Sequence, residues 1–193
     1  MGAIDIKATP TENLISISKR LGQPVRDLCA VNLDRERHGD LVNEVRETGA
    51  RIRLISDGDV AGAIQTSWPQ SGADIMFGVG GTPEGVIAAA ALKCLGGELQ
   101  GQLWPRNDAE RTEALAAGYD LDKVLTTDDL VEGDNCFFSA TGITDGELLQ
   151  GVRFYEFGAS TQSLVMRSRS GTRRKVEAVH KLEKLAVFSA IEF

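Results

Sequence analysis

Three groups of charged residues and glycines follow apolar runs, and their types suit the binding of a phosphorylated sugar and a divalent cation. The first group holds Arg35 and Arg37, and arginine side chains bind phosphate oxygens through paired hydrogen bonds. The second is Asp57-Gly58-Asp59, whose carboxylates can accept hydrogen bonds from sugar hydroxyls. In the third group, a glycine-rich turn at 78–81 leads to Glu84, and a carboxylate there suits Mg²⁺ or Mn²⁺.

Each group also has a simpler interpretation. Residues 35–37 alternate in charge and are compatible with a solvated face that holds local ion pairs. Residues 57–59 are compatible with a turn that caps the next helix. The turn at 78–81 is compatible with an ordinary strand-to-helix connection in which Glu84 is a capping acid. The occurrence of all three groups in this order is what favours a shared site.

Other polar features predict structure rather than chemistry. His38 and His180 are interpreted as exposed or capping histidines, not as catalytic bases. Residues 141–146, Thr-Gly-Ile-Thr-Asp-Gly, are interpreted as a turn with a helix cap. The three cysteines are odd in number and match no zinc-binding spacing, so we expect buried thiols.

Strand and helix patterns alternate along the chain and predict an α/β fold. We expect one domain over residues 1–193, with a mostly parallel sheet and helices on both faces. Strands are predicted at 28–33, 51–56, 73–79, 98–104 and 135–141, and helices at 10–21, 41–48, 60–66, 86–95 and 108–117. Because ligands gather at the carboxyl ends of parallel strands, the three groups are expected to meet at one edge of the sheet.

The pattern changes after Gly151. Strand-like runs at 152–155 and 163–169 flank a turn at 158–161, which predicts a carboxyl-terminal antiparallel hairpin. Residues 176–193 show no equally clear pattern.

Composition excludes several classes of partner. The formal net charge of −7 argues against nucleic acid and anionic membrane surfaces, which require clustered positive charge. No apolar run approaches the roughly 20 residues that cross a bilayer, and no signal peptide opens the chain. We therefore expect a soluble cytoplasmic protein whose partner is a small molecule, with no nucleic acid and no membrane.

Five segments, in order, resemble class II fructose-1,6-bisphosphatase, most closely its actinobacterial branch. They are Leu33–His38, Arg53–Val60, Gly78–Val86, Leu92–Gly97 and Ala140–Gly146, and the resemblance extends to Val165–Ser168 and Ser189–Phe193. It implies the fold of the inositol monophosphatase-like sugar phosphatases. It also implies metal-dependent hydrolysis of the 1-phosphate of fructose 1,6-bisphosphate to fructose 6-phosphate, in gluconeogenesis and glycerol metabolism.

The resemblance also implies residue roles. Carried over by position, it assigns Arg35, Glu36 and Arg37 to the distal 6-phosphate, Asp57, Gly58, Asp59 and Gly81 to the sugar, and Glu84 to a catalytic Mg²⁺ or Mn²⁺. This chain departs from the family at Glu36, where proline is common between the arginines. An acid at this position lowers the local positive potential.

A second departure is larger. The family begins with another α/β region that carries most of the metal-binding carboxylates and an Asp-x-x-x-Gly-Thr type motif, and this sequence contains no such motif. The chain resembles the carboxyl-terminal half, and we expect it to be inactive without the amino-terminal half. The implied partners are fructose 1,6-bisphosphate, that missing half and further copies in a dimer or tetramer. Some members of the family also accept sedoheptulose 1,7-bisphosphate.

The sequence also raises two other functions. A non-catalytic module that binds a sugar phosphate, or serves as an assembly surface, would need no further carboxylates. A dinucleotide-binding loop at 78–85 is disfavoured, because the glycines do not follow the Gly-x-Gly-x-x-Gly spacing.

Overall fold

The computed structural model describes residues 2–187, which form two compact units. One lies within Met1–Gly133 and the other within Asp134–Phe193, and each is built around its own main sheet. The single domain predicted over residues 1–193 stays a prediction that covers both units. The resemblance at Ser189–Phe193 lies outside the described residues.

The first unit alternates helices and strands. Its helices are α1 (Pro10–Leu21), α2 (Gly39–Glu47), α3 (Asp59–Gln65), α4 (Thr82–Leu95), α5 (Asp108–Ala116) and α6 (Thr127–Leu130), with 3-10 helices at Val25–Asp27 and Glu36–His38. Its strands are β1 (Cys29–Leu33), β2 (Arg51–Ile55), β3 (Ile75–Phe77), β4 (Gln100–Gly101) and β5 (Leu125–Thr126).

The capping box predicted at the start of α1 is confirmed. The Thr9 hydroxyl accepts from the backbone N–H of Glu12 at 3.2 Å, and the Glu12 carboxylate accepts from the N–H of Thr9 at 2.8 Å. Pro10 occupies the first helical turn, and Gly22 ends the helix with φ of 65°. Local sequence is therefore sufficient to define this helix.

The main sheet of the first unit is parallel, with strand order β2-β1-β3. Ala30, Ile52 and Ile75 lie on one face, in the core that Leu14 of α1 and Val45 of α2 also enter. On the opposite face, Gly62 of α3 lies against Ile55 and Met76, so close that an added Cβ would stand 3.0 Å from each. Helices therefore cover both faces of this three-stranded sheet, as expected.

Parallel pairing does not extend beyond β2, β1 and β3 to the strands that the sequence predicts later in the chain. The strand predicted at 98–104 shortens to β4, which pairs antiparallel with β5 in a separate two-stranded sheet. The strand predicted at 135–141 belongs to the second unit, where its pairing is also antiparallel. These two expectations of parallel strands are wrong, because an alternating pattern predicts elements but does not choose the partner of each strand.

The second unit is an antiparallel sheet. It contains β6 (Phe137–Thr141), β7 (Arg153–Tyr155), β8 (Gly158–Arg167), β9 (Thr172–Lys181) and the short helix α7 (Leu182–Leu185). β8 pairs with β6 and β7, and also with β9 along its whole length. The turn predicted at 158–161 is wrong in position, since those residues begin β8 and the chain reverses at Glu156 and Phe157.

Candidate functional site

The three groups of charged residues and glycines emerge at one edge of the parallel sheet. Because β2, β1 and β3 are parallel neighbours, the segments after Ile55, Leu33 and Phe77 start side by side. The backbone N–H of Asp34 donates to the carbonyl of Ile55 at 2.8 Å, which carries the pairing one step beyond β1. Segments more than 40 residues apart in sequence thus share one edge of the sheet.

The first group reaches the third through Arg37. Arg35, Glu36 and Arg37 are all exposed. The Arg35 guanidinium donates to the adjacent carbonyl of Asp34 at 3.0 Å, whereas the Arg37 guanidinium donates to the carbonyl of Val79 at 2.7 Å. Arg37 therefore lies against the glycine-rich turn, with an exposed cation beside it in Arg35.

His38 differs from its sequence interpretation. The side chain is 1% exposed, so the expectation of an exposed histidine is wrong, and it makes no capping hydrogen bond to α2. Its Nδ1 lies 3.0 Å from the carbonyl oxygen of Leu33, and its Nε2 accepts the backbone N–H of Val79 at 3.0 Å. The ring bridges the end of β1 to the turn after β3, which explains its burial.

The second group also touches the glycine-rich turn. Gly58 is the N-cap residue of α3 and has φ of 80°, in the region where glycine is favoured. Asp59 follows in the first turn, and its Oδ1 accepts the N–H of Val60 at 3.0 Å. A Cβ added to Gly80 would lie 2.9 Å from Asp59 Oδ2, so the carboxylate lies directly over Gly80. Asp57 is exposed and does not occupy the N-cap position.

Glu84 folds back over the other glycine of the turn. It lies in the first turn of α4, whose N-cap residue is Gly81, and it is exposed. A Cβ added to Gly81 would stand 2.1 Å from Glu84 Oε2, so only glycine leaves the carboxylate in this position. The free N–H groups and the dipole of a helix N-terminus favour a negative charge here. The turn thus holds two carboxylates against two adjacent glycines.

A divalent cation would find one suitable ligand here but not a complete site. Within residues 2–187, no cluster of three or more histidine, cysteine, aspartate or glutamate side chains could enclose a metal ion. The exposed Glu84 carboxylate has the hard oxygen donors that Mg²⁺ and Mn²⁺ prefer. The Glu84 carboxylate fits a role as one ligand among several.

The arrangement can bind an anionic polyol from two sides. Exposed arginines at 35 and 37 offer planar donors to a phosphate, and carboxylates at 57 and 59 offer acceptors to hydroxyl groups. Glu84 offers one anionic ligand at a helix start. Arg37, Asp59 and Glu84 lie against the glycine-rich turn, and the Asp59 and Glu84 carboxylates occupy the space over Gly80 and Gly81.

Among residues 2–187, three carboxylates have clearly lowered pKa values, and each shift has a structural cause. Hydrogen bonds from the side chain and backbone of Thr126, aided by Lys123, hold the pKa of Asp129 far below its usual range. The Arg106 side chain lowers the pKa of Glu110. In the second unit, the N–H of Gly151 and then the Arg153 guanidinium lower the pKa of Asp145. A helix cap and ion pairs explain these shifts without catalysis.

The motif at 141–146 forms a loop of the second unit. The Asp145 carboxylate accepts from the N–H of Gly151 at 3.0 Å and from Arg153 at 2.8 and 2.9 Å. No helix begins there, so the expected helix cap is wrong. His180 is half-buried and pairs with the Thr161 hydroxyl at 2.9 Å. Hydrogen bonds within the loop and the sheet account for both features.

Sequence reasoning passed over Asn32. This residue is fully buried in the middle of β1, and its Nδ2 donates to the carbonyl of Phe77 at 3.1 Å. Its Oδ1 has no hydrogen-bond partner among the described residues. An amide inside the otherwise apolar run Cys29–Leu33 was the available signal, since a buried polar side chain needs a specific partner.

No helix among residues 2–187 combines the length and the apolar character that a membrane span requires.

Comparison with known proteins places the chain in a family. A family model described as bacterial fructose-1,6-bisphosphatase, glpX-encoded, matches residues 1–180. The chain is 41% identical, over 95% of its length, to the D-fructose 1,6-bisphosphatase class 2/sedoheptulose 1,7-bisphosphatase of Crocosphaera subtropica. It is 40% identical, over 97% of its length, to the protein of the same name from Synechococcus elongatus.

These alignments cover only part of the relatives. The chain spans 57% of the length of the Crocosphaera protein and 58% of the Synechococcus protein. Within that span, the family match includes all three groups at the edge of the parallel sheet. On the family match and the two identities together, this chain belongs to the family of bacterial class 2 fructose-1,6-bisphosphatases.

Proposed function

We propose that this chain supplies the sugar-phosphate site and one metal ligand of an enzyme that hydrolyses the 1-phosphate of fructose 1,6-bisphosphate. The products are fructose 6-phosphate and phosphate. One observation carries the proposal: Arg37, Asp59 and Glu84 all lie against the single turn at 78–81. A cation, a hydroxyl acceptor and a metal ligand are thus grouped around one place where a sugar bisphosphate can bind.

Each group has a distinct task. Arg35 and Arg37 bind the distal 6-phosphate, and Glu36 between them moderates the local positive charge. Residues 57–59 and Gly81 bind the sugar, with the carboxylates accepting hydrogen bonds from its hydroxyls. Gly81 has no side chain, which leaves the space over its backbone to the Glu84 carboxylate.

Glu84 contributes one ligand to a divalent cation, Mg²⁺ or Mn²⁺. Such a cation, when bound, neutralises charge on the phosphoryl oxygens and lowers the pKa of the attacking water. Glu84 holds its negative charge at the amino-terminal end of α4 and against Gly81, which fixes the direction of its carboxylate. The other ligands come, in this proposal, from the part of the relatives that this chain does not span. The chain alone is then inactive.

Two further properties follow from the family. The printed name of both relatives includes sedoheptulose 1,7-bisphosphatase. We propose that bisphosphate as a second substrate. Both sugar bisphosphates carry a distal phosphate and hydroxyl groups, which are the groups that this proposed site binds. Assembly into a dimer or tetramer is proposed on the resemblance alone.

Phosphate release tests the proposal. Fructose 1,6-bisphosphate is supplied with Mg²⁺ or Mn²⁺ to the chain alone, and then to the chain mixed with the amino-terminal half of the Synechococcus relative. Hydrolysis only in the mixture is the expected result. Turnover by the chain alone at the level of a full-length relative would show that the missing ligands are not needed.

A non-catalytic role is the second candidate, and the lack of a complete metal-ligand cluster within residues 2–187 favours it for the chain alone. The same assay separates the two. No hydrolysis in the mixture, together with binding of fructose 6-phosphate measured by calorimetry, would identify a sugar-phosphate-binding module.

A further inference from the structure

Three backbone groups at the end of β3 and in the turn at 78–81 bind side chains that extend from β1 and the segment after it. Asn32 Nδ2 donates to the carbonyl of Phe77 at 3.1 Å. His38 Nε2 accepts the N–H of Val79 at 3.0 Å, and Arg37 donates to the carbonyl of Val79 at 2.7 Å. Both backbone polar groups of Val79 are therefore bound by consecutive residues, 37 and 38.

The partners of the His38 ring determine its protonation. A backbone N–H can only donate, so Nε2 must present its lone pair to Val79. A carbonyl can only accept, so Nδ1 must carry the hydrogen that points to Leu33. The two contacts together require the neutral ring with hydrogen on Nδ1. The ring is also packed, since a Cβ added to Gly78 would lie 3.4 Å from its Cε1.

We propose that His38 is a positioning residue, which holds the turn at 78–81 at a fixed distance from the end of β1 so that Arg37 and Glu84 act on the same substrate. This inference rests on the proposed function for its catalytic consequence. Between Val79 and α4 the chain has only Gly80 and Gly81, which have no side chains to fix their own conformation. The hydrogen bonds at Val79 therefore hold the turn in place, and the position of Glu84 depends on them.

A simpler role for His38 would be to fill space in the core. If His38 only fills space, its two ring nitrogens are equivalent. If it positions the turn, the hydrogen bond that Nε2 accepts from the N–H of Val79 is required. Two amide substitutions separate these nitrogens. His38→Asn places a donor near the position of Nδ1 and leaves the N–H of Val79 without its acceptor, while His38→Gln can place an acceptor near the position of Nε2.

The first test leaves His38 unchanged. A long-range ¹H–¹⁵N correlation spectrum of the ¹⁵N-labelled chain reports which ring nitrogen carries hydrogen. The sequence contains two histidines, so His180→Gln assigns the signals. Hydrogen on Nδ1 and a bare Nε2 are expected for His38. Hydrogen on Nε2 would overturn the proposal, because the bond from Val79 could not then exist.

The second test compares the two variants with the wild-type chain. We expect amide exchange at Val79 and Gly80 to speed up by about tenfold in His38→Asn, and to stay within about threefold in His38→Gln, as for loss and retention of one part-buried hydrogen bond. Equal exchange at these amides in the two variants, at equal unfolding free energy, would reduce His38 to space filling and overturn the proposal.

The third test is kinetic, in the mixture with the amino-terminal half. We expect His38→Asn to raise KM and the half-saturating Mn²⁺ concentration by about tenfold, with a smaller change in kcat, and His38→Gln to restore most of the difference. Equal kinetic losses in both variants would overturn the proposal. If the wild-type mixture is inactive, the proposed function fails, and the spectrum and the exchange rates alone decide whether His38 holds the turn.

Discussion

The two main sheets of this protein pair segments that differ in their separation along the sequence. In the first unit, parallel strands β2, β1 and β3 end side by side, and the segments that follow them come from positions 34, 56 and 78 of the chain. In the second unit, the ten residues of β8 pair with all ten residues of β9 across a short connection. Parallel pairing brings distant segments together, whereas this hairpin brings together residues that are already near in sequence.

The polar contacts follow the same division. At the edge of the parallel sheet, His38 and Arg37 bind Val79, more than 40 residues away. In the second unit, Asp145 binds Arg153 and Gly151, which lie within eight residues of it. The comparison teaches that the proposed ligand-binding groups assemble where crossover connections converge, while local contacts stabilise a loop. Four substitutions test this contrast.

The largest effect is expected from Glu84→Gln. In the reconstituted enzyme, phosphate release should fall by about 100-fold or more, because the change removes the charge that we propose binds the metal. Unfolding free energy should change little, since the side chain is exposed. The matched control is Glu183→Gln, which alters an exposed first-turn glutamate of α7 in the second unit. Unchanged activity of Glu84→Gln at limiting metal would refute the assignment.

Gly81→Ala should have the next largest effect. The new Cβ would occupy the position 2.1 Å from Glu84 Oε2, so the flexible carboxylate must move. We expect the half-saturating Mn²⁺ concentration to rise by about tenfold, the effect of misplacing one ligand. Gly85→Ala is the control in the same helix, because a Cβ there meets no atom within 4 Å. A titration in which both variants need the same Mn²⁺ concentration would contradict the position of Glu84.

Arg37→Ala should act mainly on substrate binding. Loss of a phosphate-binding guanidinium is expected to raise KM by about tenfold with a smaller change in kcat. Arg111→Ala, which removes an exposed arginine of α5, serves as the control. Steady-state kinetics with fructose 1,6-bisphosphate measure both. If KM stays unchanged in Arg37→Ala, the phosphate is bound elsewhere.

The smallest effect is expected in the second unit, from Asp145→Asn. Hydrogen bonds from Gly151 and Arg153 hold the pKa of Asp145 below the ordinary value of 3.8. The stabilisation is therefore complete above the unfolded-state pKa and is lost as pH falls through the lower folded-state pKa. We expect the variant to melt slightly below the wild type near neutral pH.

That difference should shrink as the pH falls below 3.8 and through the lower folded-state pKa, where the wild-type carboxyl becomes protonated. Thermal melts across this pH range measure it, and phosphate release by the mixture should be unaffected. Glu156→Gln, in the exposed connection between β7 and β8, is the control. A difference in melting temperature that persists at low pH would mean that the charge of Asp145 is not its source.

Local patterns predicted most elements of the first unit. The capping box, proline and glycine around α1 act within a few residues, so helix bounds follow from them directly. The same is true of α5, predicted at 108–117 and found at Asp108–Ala116. Pairing could not be predicted in this way for β4 and β6, because hydrogen bonds between strands depend on which segments meet in the folded chain.

For this protein, sequence by itself determined which residue types make up the candidate site: arginines, carboxylates and glycines after three apolar runs, together with a family resemblance. Tertiary structure decided which of these side chains and glycines are in contact. It placed Asp59 over Gly80 and Glu84 over Gly81, and it buried His38 as a bridge to Val79. The physical reason is that residue type and spacing fix local conformation and chemistry, whereas burial and long-range hydrogen bonds arise only when parallel strands pair.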